Sequence, residues 1–242
     1  MTVFRVREVR IGPARPFGPQ GQPSAIDKRV VEGPTMASTT GLAGDTQGDP
    51  RHHGGPDKAI HAYAVAHYPV WAEEQPERAE RFRPGAFGEN LVVEGATEAD
   101  ICLGDRWRLG DVLLEVSQGR QPCWKLNLRF GVPDMARRVQ DTGRTGWYFR
   151  VIEAGSLHAG LEARLTARSN PAWPLARVAQ VLYRDTLDLA SLGGLAALEG
   201  LPESWRRLAA RRIEVRRVED WSARLDSPPV PLTGPTTVGT AA

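Results

Sequence analysis

The sequence predicts an α+β protein, mainly β, in which a β-rich domain over residues 1–168 precedes three short helices over residues 169–217. Up to about residue 168, short strand-like runs are broken by glycine and proline, a pattern typical of strands and turns. Beyond Leu165, apolar residues recur instead at helical spacing. Residues 170–174, Asn-Pro-Ala-Trp-Pro, predict a linker between the two parts, because a residue before proline is disfavoured in a helix.

The β-rich part contains several recognisable strands and two inserted helices. A hairpin is predicted where residues 105–109 and 112–117 flank Gly110-Asp111, since such a pair suits a two-residue primed turn. Each predicted helix has a proline in or near its first turn, where proline is tolerated. The further strands are Val3–Val9, Ala59–Tyr63, Asn90–Val93 and Trp147–Ile152, and the helices are Tyr68–Glu74 and Pro133–Gln140.

The C-terminal part shows the apolar spacing of short amphipathic helices. Between two such helices, residues 187–198 are rich in leucine and alanine, with Gly193-Gly194 as expected breakers. A bundle this small would be only marginally stable alone. We therefore expect it to dock on the main domain or on a second subunit in a homodimer. A tail over residues 218–242 is predicted to be disordered. The spaced residues are Leu175, Val178, Ala179 and Leu182, then Trp205, Leu208, Ala209 and Ile213.

Composition excludes several classes of protein. The 31 basic and 29 acidic residues leave a net charge of +2, which argues against nucleic-acid binding. No apolar run approaches the roughly 18 residues of a membrane span. The first residues lack the apolar stretch of about 7 to 15 residues that a secretory signal needs, so we expect a cytoplasmic protein without membrane contact.

Two glycine-containing segments could bind a ligand. In residues 49–58, backbone N–H groups beside Arg51 and Lys58 could cradle an anion. The alternative is a tight turn in which His52 and His53 bond neighbouring carbonyl groups. In residues 87–91, Phe-Gly-Glu-Asn-Leu, the carboxylate and the amide can orient a ligand or hydrogen-bond the incoming backbone.

A third segment, residues 117–126, follows a predicted strand and contains Cys123. Pro122 disfavours continuation of that strand, so Cys123 is predicted to lie on a turn at the strand end. Arg120 and Lys125 lie close in sequence, and neighbouring cations favour the thiolate, the form that acts as nucleophile or metal ligand. A single thiolate suits a metal centre that brings its other ligands with it. The alternative is a small buried hydrophobic residue.

The other cysteine, Cys102, lies between Ile101 and Leu103 and is interpreted as a core residue. Burial among apolar side chains disfavours a thiolate. Two cysteines are too few for a disulfide scaffold, and a reducing compartment would leave both as thiols.

In this order, the three segments resemble a MOSC domain, the module named for the C-terminal part of molybdenum cofactor sulfurases, and more closely its YiiM-type group. The resemblance spans nearly the whole chain up to about Arg217, and Gly119 departs from it where relatives often carry proline. The motifs that carry it are His52–Ala59, Phe87–Leu91, Gln121–Leu126, Thr145–Tyr148 and Leu201–Trp205.

The resemblance implies a β-barrel-like fold followed by a three-helix domain. It also implies a site for molybdenum cofactor (molybdopterin), a pterin dithiolene phosphate that holds molybdenum. The implied activity is the reduction of N-hydroxylated bases such as hydroxylaminopurine, a detoxification. Electrons would come from a separate flavin or iron–sulfur reductase.

The same resemblance suggests residue roles, with Cys123 as the metal ligand. An alternative is a carrier, in which Cys123 accepts sulfane sulfur or holds the cofactor for delivery without turnover. A second alternative is a β-rich domain with an idle thiol. Cationic side chains would bind the cofactor phosphate, and two polar residues would orient the substrate or deliver a proton. The phosphate candidates are Arg51, Lys58, Arg120 and Lys125, and the other two are His53 and Asn90.

Overall fold

The computed structural model describes residues 3–48 and 54–228 of the chain. Two 3₁₀ helices, Pro56–Lys58 and Pro76–Arg81, accompany the regular elements. The strands are β1 Val3–Ile11, β2 Arg15–Phe17, β3 Gln22–Ser24, β4 Arg29–Val30, β5 Thr35–Ser38, β6 Gly41–Leu42, β7 Ile60–Ala64, β8 Leu91–Glu94, β9 Arg106–Leu109, β10 Val112–Gly119, β11 Trp147–Glu153, β12 Gly155–Leu157 and β13 Glu162–Ala167. The α-helices are α1 His67–Glu74, α2 Lys125–Phe130, α3 Met135–Thr142, α4 Leu175–Tyr183, α5 Leu189–Ala196, α6 Glu203–Val215 and α7 Ser222–Leu225.

Seven strands form a closed barrel in the order β13-β9-β10-β11-β7-β8-β1, because β1 also pairs with β13. Closure removes the unpaired strand edges that an open sheet would expose. Of these barrel pairs, β7 with β8 is parallel and the others are antiparallel. The prediction of a mainly β, barrel-like domain is therefore confirmed.

Strand β7 is buried along its whole length because both of its faces are covered. Ile60 and Ala62 point into the barrel core, whereas Tyr63 belongs to a second apolar cluster outside the barrel. There Tyr63 stacks on Phe87, with ring centroids 4.1 Å apart. The sequence of a strand that is buried on both faces tends to be a continuous apolar run, without the alternation of apolar and polar residues that marks a half-exposed strand.

The hairpin β9–β10 is confirmed with its two-residue turn. Leu109 pairs with Val112 in the antiparallel register, and Gly110 has a φ of 56°. A positive φ at this position is what a primed turn requires, and glycine adopts it without steric cost.

The three helices α4, α5 and α6 pack on the barrel and share its apolar core, as the first of the two docking alternatives predicts. Helix α5 runs through Gly193-Gly194, so the prediction that these residues break a helix is wrong. Gly194 lies against Trp173, where an added Cβ would come within 3.0 Å of the indole ring. Close packing of the helix on Trp173 therefore favours glycine at this position.

The chain beyond α6 also packs on the protein. Leu225 in α7 is buried, and its backbone oxygen accepts a hydrogen bond from Asn127 Nδ2 at 2.8 Å. Residues 218–226 thus differ from the disordered tail that the sequence suggests, whereas residues 229–242 of that tail lie outside the described part of the chain. None of the helices within residues 3–48 and 54–228 is long and apolar enough to cross a membrane.

Candidate functional site

A cavity of about 630 Å³, its open mouth included, lies where strands β7, β10 and β11 meet the loops before and after them. Four of the five motifs found in the sequence contribute to its wall. The residues that line it are Ser24, Ala25, Ile26, Lys28, Asp45, Thr46, Gln47, Gly48, Lys58, Ala59, His61, Phe87, Gly88, Asn90, Arg120, Cys123, Lys125 and Tyr148.

The wall of this cavity is positively charged. The chain has three lysines, Lys28, Lys58 and Lys125, and all three line it together with Arg120. Asp45 is the only carboxylate among the described lining residues. A concave surface with this excess of cations attracts an anion.

Cys123 lies in the wall of the cavity, on the turn that follows β10. The residue is 8% exposed, so it is covered by its neighbours but not separated from the cavity. Cys102, in contrast, is not among the residues of the cavity, and burial raises the pKa of its thiol, with a smaller contribution from Asp105. Of the two cysteines, Cys123 therefore lines the cavity and Cys102 does not.

Arg120 carries an unsatisfied hydrogen-bond donor. The residue is 7% exposed, and its Nη1 atom is buried with no hydrogen-bond partner. Its backbone N–H donates to the Gly146 carbonyl at 2.9 Å, which fixes the start of the Cys123 turn. A buried charged donor without an acceptor is unfavourable, so an anion in the adjoining cavity would stabilise this arrangement.

Lys28 and Asp45 form a buried ion pair at the cavity wall that sequence reasoning missed. Burial lowers the pKa of Lys28, and the Asp45 carboxylate partly opposes that effect. Asp45 also accepts hydrogen bonds from the Gly12 N–H and from Asn90 Nδ2, both at 2.8 Å. These contacts hold Lys28 beside the cavity while its ammonium group keeps further donors for a ligand.

The side chains of Glu89 and Asn90 have structural contacts. Asn90 Oδ1 accepts from the His61 N–H at 3.1 Å, and its Nδ2 donates to Asp45 and to the Arg10 carbonyl. Glu89 is fully buried and accepts from the Gly85 and Phe87 N–H groups and from a tyrosine hydroxyl. The geometry therefore matches the alternative in which this motif hydrogen-bonds the backbone, and we do not assign Asn90 a chemical step.

The glycine-rich loop reaches the cavity through Lys58. Its neighbour Asp57 forms an ion pair with Arg150, and Arg150 Nη2 donates to the Gly200 carbonyl of the helical domain at 2.8 Å. The loop end is thus anchored to both domains. Arg51 and His53, the other predicted site residues of this loop, lie outside the described part of the chain.

His61 and Tyr148 also line the cavity. Sequence reasoning gave neither residue a role in the site, although Tyr148 ends the Thr145–Tyr148 motif. Burial and then the Arg120 charge hold the pKa of His61 well below its ordinary 6.5. Burial raises the pKa of the Tyr148 phenol. At neutral pH the imidazole is therefore uncharged and the phenol keeps its proton.

Gly146 allows His61 to occupy this place. Its φ is 71°, and an added Cβ would lie within 2.8 Å of His61 Nε2 and closer still to the Ala62 carbonyl oxygen. Because only glycine tolerates both the positive φ and this close approach, Gly146 is a packing requirement of the site.

The neutral state of His61 predicts an acid-sensitive fold. Below pH 6.5 the unfolded histidine binds a proton and the folded one does not, so folding stability is lost as the pH falls. This residue contributes at most about 1.4 kcal/mol per pH unit to the dependence of the unfolding free energy on pH. We expect His61→Gln to reduce the difference in unfolding free energy between pH 7 and pH 5.5, measured by urea denaturation of the purified protein.

His158→Gln is the matched control, because His158 is exposed and bonds only its neighbouring carbonyl group, that of Ala159. This control should keep the wild-type pH dependence. An unchanged difference in His61→Gln would show that His61 can bind a proton in the folded protein.

Comparison with known proteins adds the following findings. Residues 49–164 match the family model described as "MOSC domain", and residues 173–216 match "YiiM-like, 3-alpha helix domain". The chain is 40% identical over 207 residues to Protein YiiM of Escherichia coli (strain K12), covering 86% of this chain and 92% of that one. The crystal structure of YiiM from Escherichia coli superposes with a TM-score of 0.80 at 34% identity, over 94% of this chain and 100% of the other.

A fungal protein is also similar to the chain. It is a protein of Gibberella moniliformis (strain M3125 / FGSC 7600) named "Reductase", 41% identical over 167 residues. The similarity covers 69% of this chain and 30% of the fungal one. Most of the fungal protein therefore lies outside the shared region.

Proposed function

Because the chain belongs to the MOSC family and carries the YiiM-like three-helix domain, we propose that it binds molybdenum cofactor at Cys123 and reduces N-hydroxylated bases or related compounds. The observation that carries the proposal is the Cys123 thiol in the wall of a cavity lined by every lysine of the chain. The name of the fungal relative supports a reductase-type role. Electrons would come from a separate reductase.

The residues of the cavity fit the chemistry of this cofactor. The phosphate of the pterin is an anion, and the four cations of the wall, including the unsatisfied Arg120 donor, are groups that bind phosphate. In the described part of the chain, no three His, Cys, Asp or Glu side chains are grouped so as to hold a metal ion. One thiolate is the donor that suits a metal arriving with its own sulfur ligands.

The reaction removes one oxygen atom from an N–OH group: two electrons and two protons convert the hydroxylamine into an amine and water. The bound cofactor would supply the two-electron redox chemistry. The task of the chain is to hold the cofactor through Cys123 and the cations and to position the substrate. Tyr148, which keeps its proton at neutral pH, can donate a hydrogen bond to the substrate hydroxyl.

The test uses protein purified from a host that makes molybdenum cofactor. We expect molybdenum and pterin in equimolar amount with the chain, and reduction of hydroxylaminopurine with a chemical electron donor such as reduced methyl viologen. A persulfide on Cys123 without turnover would replace this proposal with the sulfur-carrier alternative. Protein from this host that holds neither molybdenum nor pterin and shows no turnover would contradict the proposal.

A further inference from the structure

The chain beyond the helical domain reaches back to the turn that carries Cys123. The match to the helical family model ends at residue 216, and the chain then continues through α7, whose Leu225 belongs to the outer apolar cluster. Arg224 of α7 contacts the residues on both sides of Cys123. Arg224 lies outside both ranges that match the family models, whereas its partners lie within the first of them.

The contacts of Arg224 fix two neighbouring peptide units. Its Nη1 donates to the Pro122 carbonyl at 2.6 Å, and its own carbonyl accepts from the Trp124 N–H at 2.7 Å. Its Nη2 donates to Gln140 Oε1 at 2.5 Å, which ties the same guanidinium to α3. Cys123 lies between the two bonded residues, and Arg224 holds one of them through its side chain and the other through its backbone carbonyl, across a separation of 102 residues from Pro122.

The Arg224 guanidinium is itself largely enclosed by the protein. Burial lowers its pKa, and its hydrogen bonds to the Pro122 carbonyl and to Gln140 Oε1 satisfy two of its donor groups. The side chain is therefore fixed between the Cys123 turn and α3.

We propose that Arg224 is a positioning residue for Cys123: it bonds the peptide units on both sides of the cysteine and so holds the sulfur in the cavity wall. The consequence is that the segment after the helical domain completes the site. A chain that ends at residue 216 would have the barrel and the three helices but would lack the two hydrogen bonds that Arg224 makes on either side of Cys123. The inference deepens the proposed function, yet its first test does not depend on bound cofactor.

The first test measures the alkylation rate of Cys123 by iodoacetamide in the cofactor-free protein, with Cys102→Ala present so that Cys123 alone reacts. Cys123 is only 8% exposed, so release of its turn should expose the sulfur. We expect Arg224→Met to raise the rate about tenfold, the effect of losing a hydrogen bond to a charged group from a locally opening segment. Arg224→Lys keeps a charged donor and should stay within about threefold of wild type.

Two controls separate positioning from general loss of stability. Arg137→Met removes only an exposed ion pair between α3 and Asp226, N–O 3.5 Å, and should leave the rate unchanged. In a Cys123→Ser background, Arg224→Met should leave the slow alkylation of the buried Cys102 unchanged. Equal acceleration of Cys102 would show global unfolding and overturn the proposal, as would an Arg224→Met rate equal to that of Arg137→Met.

The second test measures the molybdenum content of full-length protein from a cofactor-producing host. Arg224→Met should lose bound metal and Arg224→Lys should restore much of it. If the wild type itself binds no cofactor, the proposed function fails while the alkylation rates still decide the role of Arg224. If the wild type contains molybdenum and Arg224→Met contains an equal amount, the positioning role fails while the proposed function stands.

Discussion

Cys123→Ala is expected to remove bound molybdenum and to lower N-hydroxylamine reductase activity by about 10²-fold or more. Loss of a residue that only hydrogen-bonds a metal ligand already reduces metal affinity or activity about 10- to 100-fold, and loss of the ligand itself should have at least that effect. The sulfur is the one soft donor among the described residues that line the cavity, and alanine offers no atom that replaces it. Metal analysis and steady-state turnover of protein from a cofactor-producing host provide the measurement.

Cys102→Ala is the matched control for this experiment. It removes the same atoms from a cysteine that is 3% exposed and is not part of the cavity. Loss of the Cys102 sulfur should lower the stability of the fold slightly and leave metal content and turnover at wild-type levels. Wild-type metal content in Cys123→Ala, or an equal loss in both variants, would contradict the assignment of Cys123 as the ligand.

Arg120→Met is expected to separate cofactor binding from stability. The variant removes a buried charge with an unsatisfied donor, so the melting temperature of the cofactor-free protein should remain the same or rise. Cofactor retention should fall about 10- to 100-fold, the equivalent of one hydrogen bond to a charged group. Thermal unfolding of the empty protein and molybdenum content after dialysis give the two quantities.

Arg212→Met is the contrasting variant. Arg212 is 1% exposed, but its guanidinium donates to the Leu182 carbonyl and pairs with Glu219. Methionine removes the guanidinium bonds to Glu219 and to the Leu182 carbonyl and leaves Glu219 only the Trp221 indole donor, so this variant should be destabilised by about 3 kcal/mol. If Arg120→Met is destabilised like Arg212→Met and keeps its cofactor, then Arg120 is a structural residue rather than a ligand for the anion.

The sequence predicts those features that local pattern determines. Strand β1 appears as alternating residues with Phe4 and Val6 buried, and the β9–β10 turn is set by two residues. Cys123 is recognisable because a proline and two basic residues surround it within a few positions. Each of these signals lies within one element or one turn.

The remaining features depend on contacts between distant parts of the chain. Lys28 lies among irregular residues, and only its pairing with Asp45 and the approach of Asn90 bring it to the cavity. His61 lies in an apolar run and gives no polar pattern of its own. The lack of alternation in β7 follows from its two covered faces, which depend on the helices that pack outside the barrel.

Helix α2 and the contact of Arg224 also exceed what local pattern predicts. Helix α2 begins two residues after Cys123 and ends at a left-handed Gly131, with Leu126 and Phe130 buried in the outer apolar cluster. Tertiary packing of these two residues stabilises a helix that is too short to form alone. Composition near the C-terminus suggests a mobile tail, yet Leu225 fills a place in the same cluster.

The central claim is that the Cys123 sulfur bonds the metal of a cofactor held in the lysine-lined cavity. X-ray absorption at the molybdenum edge tests it most directly, on wild-type and Cys123→Ser protein prepared in the same cofactor-producing host. We predict a sulfur neighbour of molybdenum in the wild type that the serine variant lacks, or a serine variant without molybdenum. A loaded serine variant whose sulfur neighbours equal those of the wild type would contradict the claim.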